Sequence, residues 1–284
     1  MTTHGAEAGG SIGECFEEAR SLLSRPDAEA LTTAALRVSR AVLYGFPERP
    51  VDAPTRRRHR EWIARRRAGE PVAYLIGRRE FWSLSLEVDA NVLIPRPETE
   101  MLVQAGLDCL TAFDAPPRLL DLGTGSGAIA LALAAETRAR GIAAIVTAVE
   151  VDPRAMGIAR RNAERLDLDV QFLSSDWFSE VNDRYDVIVS NPPYIAAGDR
   201  HLASGDLRFE PRHALVGGPD GLDAIRTIVA AAPSHLQRPG FLAIEHGNTQ
   251  GPEVRSLLEA AGFGTVATVN DLADQPRVTT GRHQ

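Results

Sequence analysis

The part of the chain after Pro117 alternates between strand-like and helix-like segments, and this pattern restricts the fold more than any other feature. Short apolar runs follow one another from Leu119 onward, separated by stretches of helical periodicity. Such alternation builds a doubly wound, mainly parallel β-sheet with helices on its faces. The last two strands are joined by a short connection and are expected to form an antiparallel hairpin at the sheet edge. The predicted strands cover residues 119–122, 145–150, 170–173, 187–189, 241–245, 265–269 and 278–280.

The segment before this pattern has a different periodicity. Between residues 11 and 71 the apolar side chains recur at helical spacing with proline interruptions, which predicts a small helical bundle. Between residues 73 and 94 the period shifts toward two, which predicts a β-hairpin. The fold class is therefore α/β, with a doubly wound seven-stranded sheet, an N-terminal helical bundle and a hairpin that joins them. The predicted domains are residues 1–72, the linker 73–95 and the α/β domain 96–284.

The composition limits the classes of function. Of the 284 residues, 44% are apolar and 24% are charged, which is typical of a globular protein. No apolar run approaches the roughly 18 residues that span a bilayer, and residues 1–10 do not resemble an export signal, so we expect a cytoplasmic protein without membrane association. The net charge of −7 disfavours direct binding to nucleic acid. Cys15 and Cys109 stand alone, so neither a disulfide framework nor a metal site is expected.

A cluster of arginines lies between Arg56 and Arg67, around Trp62 and Ile63. The simpler interpretation is a solvated helix face that is anchored by the tryptophan. The alternative is a docking surface for an acidic or RNA-associated partner. The sequence leaves both interpretations open.

A glycine-rich turn, DLGTGSG at 121–127, ends the first predicted strand of the sheet and opens a helix. Its glycines let the backbone turn sharply and approach a ligand at the sheet edge where ligands bind in such folds. Glu150 lies about 25 residues beyond the turn, where an acid accepts hydrogen bonds from ribose hydroxyls. These features fit a dinucleotide enzyme and an S-adenosylmethionine enzyme equally well.

Ser175, Asp176 and Trp177 follow the third predicted strand at the same edge. Asp176 is placed to accept a hydrogen bond from an adenine amino group. Trp177 is either a core residue or part of the wall of the ligand pocket, and its position favours neither alternative.

The fourth predicted strand ends in Asn191, Pro192, Pro193 and Tyr194. Two prolines cannot continue a central strand, so the chain leaves the sheet beside the glycine-rich turn. A planar amide or amino nitrogen is a poor nucleophile because its lone pair is delocalised, so an enzyme must hold its N–H groups with acceptors. The Asn191 side-chain carbonyl and the Pro192 backbone carbonyl are two acceptors, and Tyr194 offers a flat face. The pattern predicts methyl transfer to a planar nitrogen, with Asn191, Pro192 and Tyr194 as catalytic residues.

Two prolines bracket Arg96 in the segment from Ile94 to Glu98. They predict an extended loop before a helix at about 99–110. This loop is either a rigid linker or a segment that closes over cofactor or substrate, and the sequence does not separate the two.

These segments together resemble the peptide chain release factor N5-glutamine methyltransferases, a family of class I S-adenosylmethionine-dependent enzymes. The resemblance runs nearly end to end. Asn-Pro-Pro-Tyr alone is shared with DNA adenine and cytosine amino-methyltransferases. The surrounding strings and the N-terminal helical segment restrict the resemblance to the release factor family. The strings are GRREFW (77–82), IPRPE (94–98), GTGSG (123–127), SDW (175–177), SNPPY (190–194), RFEP (208–211) and EHG (245–247).

The resemblance implies S-adenosylmethionine as cofactor and S-adenosylhomocysteine as product. It also implies that the substrate is the glutamine of a Gly-Gly-Gln loop in class I bacterial release factors, held in part by the N-terminal helical domain. Separately, we expect a monomer. Relatives often carry Asp at the position of Glu150, so we expect binding with altered ribose geometry. The implied cofactor contacts are Gly123, Thr124, Gly125, Ser126, Gly127, Glu150, Asp176, Trp177 and Asn191, and the implied substrate contacts are Asn191, Pro192, Pro193 and Tyr194.

Four alternatives stay open at this point. Methylation of a ribosomal-protein glutamine uses the same chemistry. Amino-methylation of DNA shares the tetrapeptide, but the acidic α/β part and the missing long target-recognition region count against it. A nicotinamide dehydrogenase would leave Asn-Pro-Pro-Tyr unexplained, and a non-catalytic binding module would leave the intact glycine-rich turn and Asn191 unexplained.

Overall fold

The computed structural model describes residues 10–110 and 116–284, which divide into two compact units. The helical unit comprises residues 10–78 together with Ser204–Phe209. The α/β unit comprises the rest of the described chain. Within these described ranges, no helix is long and apolar enough to cross a membrane.

The helical unit confirms the bundle that was predicted for residues 11–71. Four of its helices begin directly after a Ser or Asp whose side chain accepts a hydrogen bond from a first-turn N–H, namely Ser11, Ser24, Ser39 and Asp52. Its elements are β1 (Gly10–Ser11), α1 (Ile12–Arg20), α2 (Arg25–Leu36), α3 (Arg40–Gly45), β2 (Pro50–Val51), α4 (Ala53–Arg67) and α5 (Val72–Ile76). Its buried core contains Ile12, Cys15, Phe16, Ala19, Ala28, Leu43, Val51 and Ile63.

Arginines of α4 form ion pairs within the helical unit. Arg60 donates to Glu18 at 2.8 Å. Arg66 donates to Asp27 at 2.9 Å and to Asp206 at 2.8 Å. These internal partners favour the interpretation of α4 as a solvated structural face over that of a docking surface.

The hairpin is shorter than the predicted span of 73–95. Its strands are β3 (Arg78–Phe81) and β4 (Leu84–Glu87), whereas residues 72–76 form α5. Gly77 ends α5 in the left-handed region with a φ of 75°, as glycine commonly does at a helix C-terminus. The hairpin turn, Trp82 and Ser83, has a positive φ at both residues, which matches the twist of the strands. The period-two pattern therefore extends over the hairpin alone.

The α/β unit confirms the predicted sheet. Seven strands form one sheet in the order β10-β11-β9-β8-β5-β6-β7. The β11 strand is antiparallel to both neighbours, and the other pairs are parallel. The elements are α6 (Glu100–Asp108), β5 (Arg118–Leu122), α7 (Ala128–Ala139), β6 (Ile145–Glu150), α8 (Pro153–Leu166), β7 (Gln171–Ser174), β8 (Tyr185–Ser190), α9 (Asp223–His235), β9 (Leu236–Glu245), α10 (Gly251–Ala260), β10 (Gly264–Asn270) and β11 (Pro276–His283).

Each face of the sheet carries its own apolar core. Because side chains alternate along a strand, Leu119 belongs to the core with α6 and α7, and Leu120 belongs to the core with α9 and α10. The chain runs from β5 through β6 and β7 on one side and then returns to β8 and β9 on the other. The strand order thus reverses between β5 and β8, and such a switch point leaves a crevice at the carboxyl ends of the strands.

Candidate active site

A cavity lies at the carboxyl edge of the sheet, at the switch point between β5 and β8. The loops after four adjacent strands line it, which brings together residues that are up to 70 positions apart, as parallel strands end at one edge. Of the residues singled out in the sequence, those that line this cavity are Gly123, Gly125, Glu150, Ser175, Asp176, Trp177, Asn191 and Pro193. Thr124, Ser126 and Pro192 are buried nearby.

Three glycines shape the loop after β5. Gly123, Gly125 and Gly127 have φ values of 73°, 57° and 86°, a region in which other L-residues pay about 1–2 kcal/mol. The N–H groups of Gly123 and Thr124 both donate to the Val149 carbonyl at 2.9 Å. A Cβ on Gly127 would approach α7 and α8 within 3.0 and 3.3 Å, whereas Gly125 has nothing within 4 Å. The absence of a side chain at Gly127 therefore allows α7 and α8 to pack closely against the loop. The absence of one at Gly125 leaves the backbone open to the cavity.

Glu150 supports this loop from the end of β6. Its Oε2 accepts from the N–H of Gly125 at 2.9 Å. Its Oε1 accepts from the N–H groups of Val151 and Asp152 at 2.9 and 3.0 Å. Each carboxylate oxygen offers about two acceptor sites, so Oε2 retains one for a ligand hydroxyl.

Asp121 is a fully buried carboxyl on β5 to which the sequence analysis gave no role. Its Oδ2 accepts from the Thr124 hydroxyl at 2.6 Å and from the N–H of Ala130 at 3.1 Å. Burial raises the pKa of Asp121 to about 7, while these two hydrogen bonds lower it and Glu150 raises it further. Asp121 thus ties the glycine-rich turn to the first turn of α7.

Trp177 forms a wall of the cavity beside the glycine-rich turn. It adopts a φ of 48°, which is uncommon for a bulky residue. The Ser175 hydroxyl holds this turn by donating to the Trp177 carbonyl at 2.9 Å and accepting from the N–H of Glu180 at 3.0 Å. A Cβ on Gly123 would lie 3.4 Å from the Trp177 ring. Asp176 is exposed at the rim of the cavity.

Asn191 follows β8 directly and lies beside the end of β5. The Ser190 hydroxyl donates to the Leu122 carbonyl at 2.8 Å, which holds the two strand ends together. The Asn191 Nδ2 donates to the Thr99 Oγ1 at 3.1 Å. The amide thus turns its Nδ2 toward Thr99. Its Oδ1, the acceptor of this side chain, is left to accept a hydrogen bond at the cavity.

Thr99 and Glu245 lie behind the Asn-Pro-Pro-Tyr loop. Glu245 ends β9, is 1% exposed and accepts from the Tyr194 hydroxyl at 3.2 Å through Oε1. Burial raises the pKa of Glu245 to about 7; Thr99, Tyr194 and Arg277 lower it, and Glu98 raises it. Burial and the Glu245 charge also raise the pKa of Tyr194.

Sequence reasoning assigned no role to Thr99 or Glu245. A signal existed for Glu245, because it ends a central strand at the same edge as Glu150. Thr99 carries no comparable local signal, since its contact with Asn191 spans 92 positions of the chain.

Glu245 is expected to make stability depend on pH. Its pKa is near 4.5 when exposed and about 7 in the folded protein, so the folded state holds this proton more tightly between those values. The resulting stabilisation is complete below pH 4.5 and is lost as the pH rises through 7. Relative to the wild type, Glu245→Gln should therefore gain about 3 kcal/mol in unfolding free energy between pH 4.5 and 8.

Urea unfolding of both proteins across this range checks the prediction. Asp121 has a pKa raised in the same direction and is present in both proteins, so the difference between them reports Glu245 alone. Stability curves that stay parallel from pH 4.5 to 8 would contradict it.

The backbone of Tyr194 is held from two sides. Gln250 Nε2 donates to the Tyr194 carbonyl at 3.0 Å. Gly221, with a φ of 79°, lies against the same carbonyl, and a Cβ there would be 2.2 Å from the Tyr194 oxygen. Ile195, the next residue, forms an isolated parallel bridge with Val216. The position of the Asn-Pro-Pro-Tyr loop therefore depends on the loop at 215–221.

Gly221→Ala is expected to destabilise the protein more than Gly262→Ala does. Both glycines have positive φ, so both substitutions introduce about 1–2 kcal/mol of backbone strain. Only the Cβ at Gly221 meets a neighbour, because Gly262 has nothing within 4 Å. Overpacking costs roughly a further 1–3 kcal/mol. Thermal unfolding of the two variants measures the difference in stability. Equal losses of stability would show that the contact of the new Cβ with the Tyr194 carbonyl does not destabilise the protein.

The loop at 94–98 is tied to Glu210, whose side chain is fully buried. Glu210 Oε1 accepts from Arg96 Nη2 at 2.5 Å, and Oε2 accepts from the N–H of Ile94 at 3.2 Å. These contacts favour the rigid-linker alternative for this loop. They also place Thr99, which follows it, next to Asn191.

Two family models match the chain. The model described as PrmC N-terminal domain matches residues 11–77, and the model described as Methyltransferase small domain matches residues 100–207.

Curated relatives match most of the chain. A release factor glutamine methyltransferase of Pseudomonas aeruginosa is 51% identical over 261 residues, which is 91% of this chain and 92% of the relative. A protein of the same name from Burkholderia pseudomallei is 48% identical over 271 residues, which is 92% of this chain and 93% of the relative.

A solved structure supports the fold. The T. thermophilus 16S rRNA N2 methyltransferase in complex with AdoMet and guanosine superposes with a TM-score of 0.54 at 22% identity, covering 73% of this chain and 50% of that one. At this identity the likeness concerns the fold alone.

Proposed function

We infer the function of this chain from its family, because it belongs to the release factor glutamine methyltransferases. It is an S-adenosylmethionine-dependent enzyme that methylates a glutamine of a release factor. We propose that the methyl group goes to the side-chain amide nitrogen, N5, of the glutamine in the Gly-Gly-Gln motif of class I release factors. The observation that carries this assignment is the Asn191 amide, whose Nδ2 is held by Thr99 so that Oδ1 is free to accept from the substrate.

The residues of the cavity fit S-adenosylmethionine. Gly125 leaves its backbone open to a ligand, since a Cβ there would meet nothing within 4 Å. We propose that Glu150 accepts from a ribose hydroxyl with the one acceptor site that its contacts leave free. Val151 is 57% exposed and, with Trp177, offers an apolar surface to the adenine ring, while Asp176 at the rim accepts from its amino group. Thr124, Ser126 and Gly127 shape the loop around this site.

The proposed mechanism relies on positioning. S-adenosylmethionine supplies the methyl group as an electrophilic carbon on a sulfonium sulfur. Asn191 Oδ1 and the Pro192 carbonyl oxygen accept hydrogen bonds from the two N–H groups of the glutamine amide. Pro193 and Tyr194 orient the plane of that amide. The N–H groups become more acidic as the nitrogen attacks, so these bonds strengthen in the transition state. No base is needed beforehand, because the proton leaves from the cationic nitrogen after transfer.

We propose that the helical domain, residues 1–72, holds the release factor. The match of the PrmC N-terminal domain model to residues 11–77 supports this role. The net charge of −7 supports an enzyme that recognises protein without direct contact to nucleic acid. We further propose that it acts as a monomer in the cytoplasm, where release factors work on the ribosome.

Mass spectrometry of a class I release factor incubated with the enzyme and S-adenosylmethionine tests the proposal. The Gly-Gly-Gln peptide should gain one methyl group on the glutamine side chain, and the gain should vanish with Asn191→Ala. If the enzyme binds cofactor but adds no methyl group to this peptide, the Gly-Gly-Gln assignment is wrong. The same assay on ribosomal proteins and on DNA would then identify the substrate.

A further inference from the structure

The Thr99 hydroxyl serves Asn191 and not the helix that follows it. Thr99 ends a 3₁₀ turn (Pro97–Thr99) that leads directly into α6, and its own backbone is helical. Its side chain makes no hydrogen bond to the N–H groups at the start of α6. Instead the hydroxyl of this residue, which is 3% exposed, accepts from Asn191 Nδ2 at 3.1 Å.

A hydroxyl alone does not fix which end of an amide it faces, because it both donates and accepts hydrogen bonds. A neighbour that only accepts removes this ambiguity, and an ionised carboxylate is such a group. Glu245 is that neighbour above its pKa of about 7, where its carboxyl group is ionised. The hydroxyls of Thr99 and Tyr194 both lower the pKa of Glu245, as expected of groups that present their hydrogens to it.

The structure shows Thr99 in the accepting role, because Asn191 Nδ2 donates to its Oγ1 at 3.1 Å. The amide must then turn its NH₂ group to Thr99 and its carbonyl oxygen to the cavity. In the opposite orientation the NH₂ group would face the N–H groups of the substrate, and no hydrogen bond would form between them.

We propose that Thr99 is a positioning residue for methyl transfer and that, together with Glu245, it sets the orientation of the Asn191 amide so that the carbonyl oxygen faces the substrate. This inference rests on the proposed function, in which Asn191 Oδ1 accepts from the glutamine amide. Thr99 does not touch the substrate and acts through Asn191.

Turnover of two variants tests the role of Thr99. Thr99→Val keeps the shape of the side chain but has no hydroxyl, and it should lower kcat about tenfold while the cofactor Kd stays within about twofold. Thr99→Ser restores the hydroxyl and should recover most of the rate. The matched control is Thr137→Val, because the buried Thr137 hydroxyl bonds only to carbonyls of its own helix, so wild-type kcat is expected.

A double-mutant cycle separates positioning from a general structural effect. In an Asn191→Ala background, Thr99→Val should cause no further loss, since the group through which Thr99 acts is gone. A loss of the same size in both backgrounds would overturn the inference. At pH 8.5, where Glu245 is ionised, Glu245→Gln brings a donor to this position and should lower kcat several-fold in the wild-type background alone. This test stands even if Thr99→Val does not fold.

Nuclear magnetic resonance provides a readout that does not depend on turnover. The side-chain NH₂ signals of Asn191 are identified by their absence from Asn191→Ala. They should shift in Thr99→Val and stay near the wild-type position in Thr99→Ser. Unshifted signals in Thr99→Val, or wild-type kcat in that variant, would overturn the inference and leave the proposed function intact. Equal Gly-Gly-Gln methylation by the wild type and Asn191→Ala would instead refute the role of Asn191 in the proposed function.

Discussion

Asn191→Ala should lower the turnover of release factor methylation by roughly 30- to 700-fold, equivalent to about 2–4 kcal/mol of lost transition-state stabilisation. The variant lacks the carbonyl oxygen that the structure leaves free while Nδ2 is bound to Thr99. The hydrogen bond from the substrate amide strengthens as the nitrogen attacks, so its loss raises the barrier more than it weakens ground-state binding. Cofactor affinity should change much less than kcat.

Single-turnover methylation and calorimetric titration of the cofactor measure the two quantities on the same preparation. Asn182→Ala is the matched control, because Asn182 is an exposed asparagine outside the cavity. That variant should keep wild-type kcat. A loss in Asn191→Ala that lies entirely in cofactor affinity would refute the acceptor role and would make Asn191 a cofactor-binding residue only.

Glu150→Ala should weaken S-adenosylmethionine binding by roughly 10- to 150-fold, since a hydrogen bond to a charged group contributes about 1.5–3 kcal/mol. The substitution removes the acceptor proposed for a ribose hydroxyl. It also removes the carboxylate that binds the N–H groups of Gly125, Val151 and Asp152. At saturating cofactor kcat should fall much less, because Glu150 is not proposed to contact the reacting amide.

Glu150→Asp is the informative partner of this variant. It keeps the charge on a shorter side chain, and its Kd should stay within about tenfold of the wild type. Calorimetric titration measures both variants. Wild-type affinity in Glu150→Ala, or equal weakening in the two variants, would show that the carboxylate does not bind the ribose.

Patterns that are local in the chain predicted most of the fold. The central strands β5, β6 and β8 contain short apolar runs, and the helices that pack on the sheet show a repeat of buried positions, so the order of elements follows from the sequence. The right-handed parallel connections then leave few topologies. The hairpin was predicted too long because its period-two signal adjoins α5, a helix of five residues that is too short to show a period of its own.

The same local patterns identified the cavity only in part. The glycine-rich turn, Glu150, Trp177 and Asn191 each follow a strand, and strands that run parallel end at one edge. Asp121, by contrast, was visible in the glycine-rich string without any sign that it is fully buried. Burial, and the pKa that follows from it, depends on neighbours from other parts of the chain.

Residue type and periodicity thus predicted the α/β methyltransferase fold, and they singled out Asn191 as the group that is proposed to accept from the substrate. These predictions were possible because the spacing of apolar side chains and the chemistry of Asn-Pro-Pro-Tyr are properties of short segments and can be read from the residue order. The hydrogen bonds of Asn191 and Tyr194 emerged only from the folded chain, since Thr99 lies 92 positions before Asn191 and Glu245 lies 51 positions after Tyr194. The contact of Tyr194 with Glu245 forms because β8 and β9 lie side by side in the sheet. Contacts between residues this far apart in the chain cannot be predicted from a local repeat.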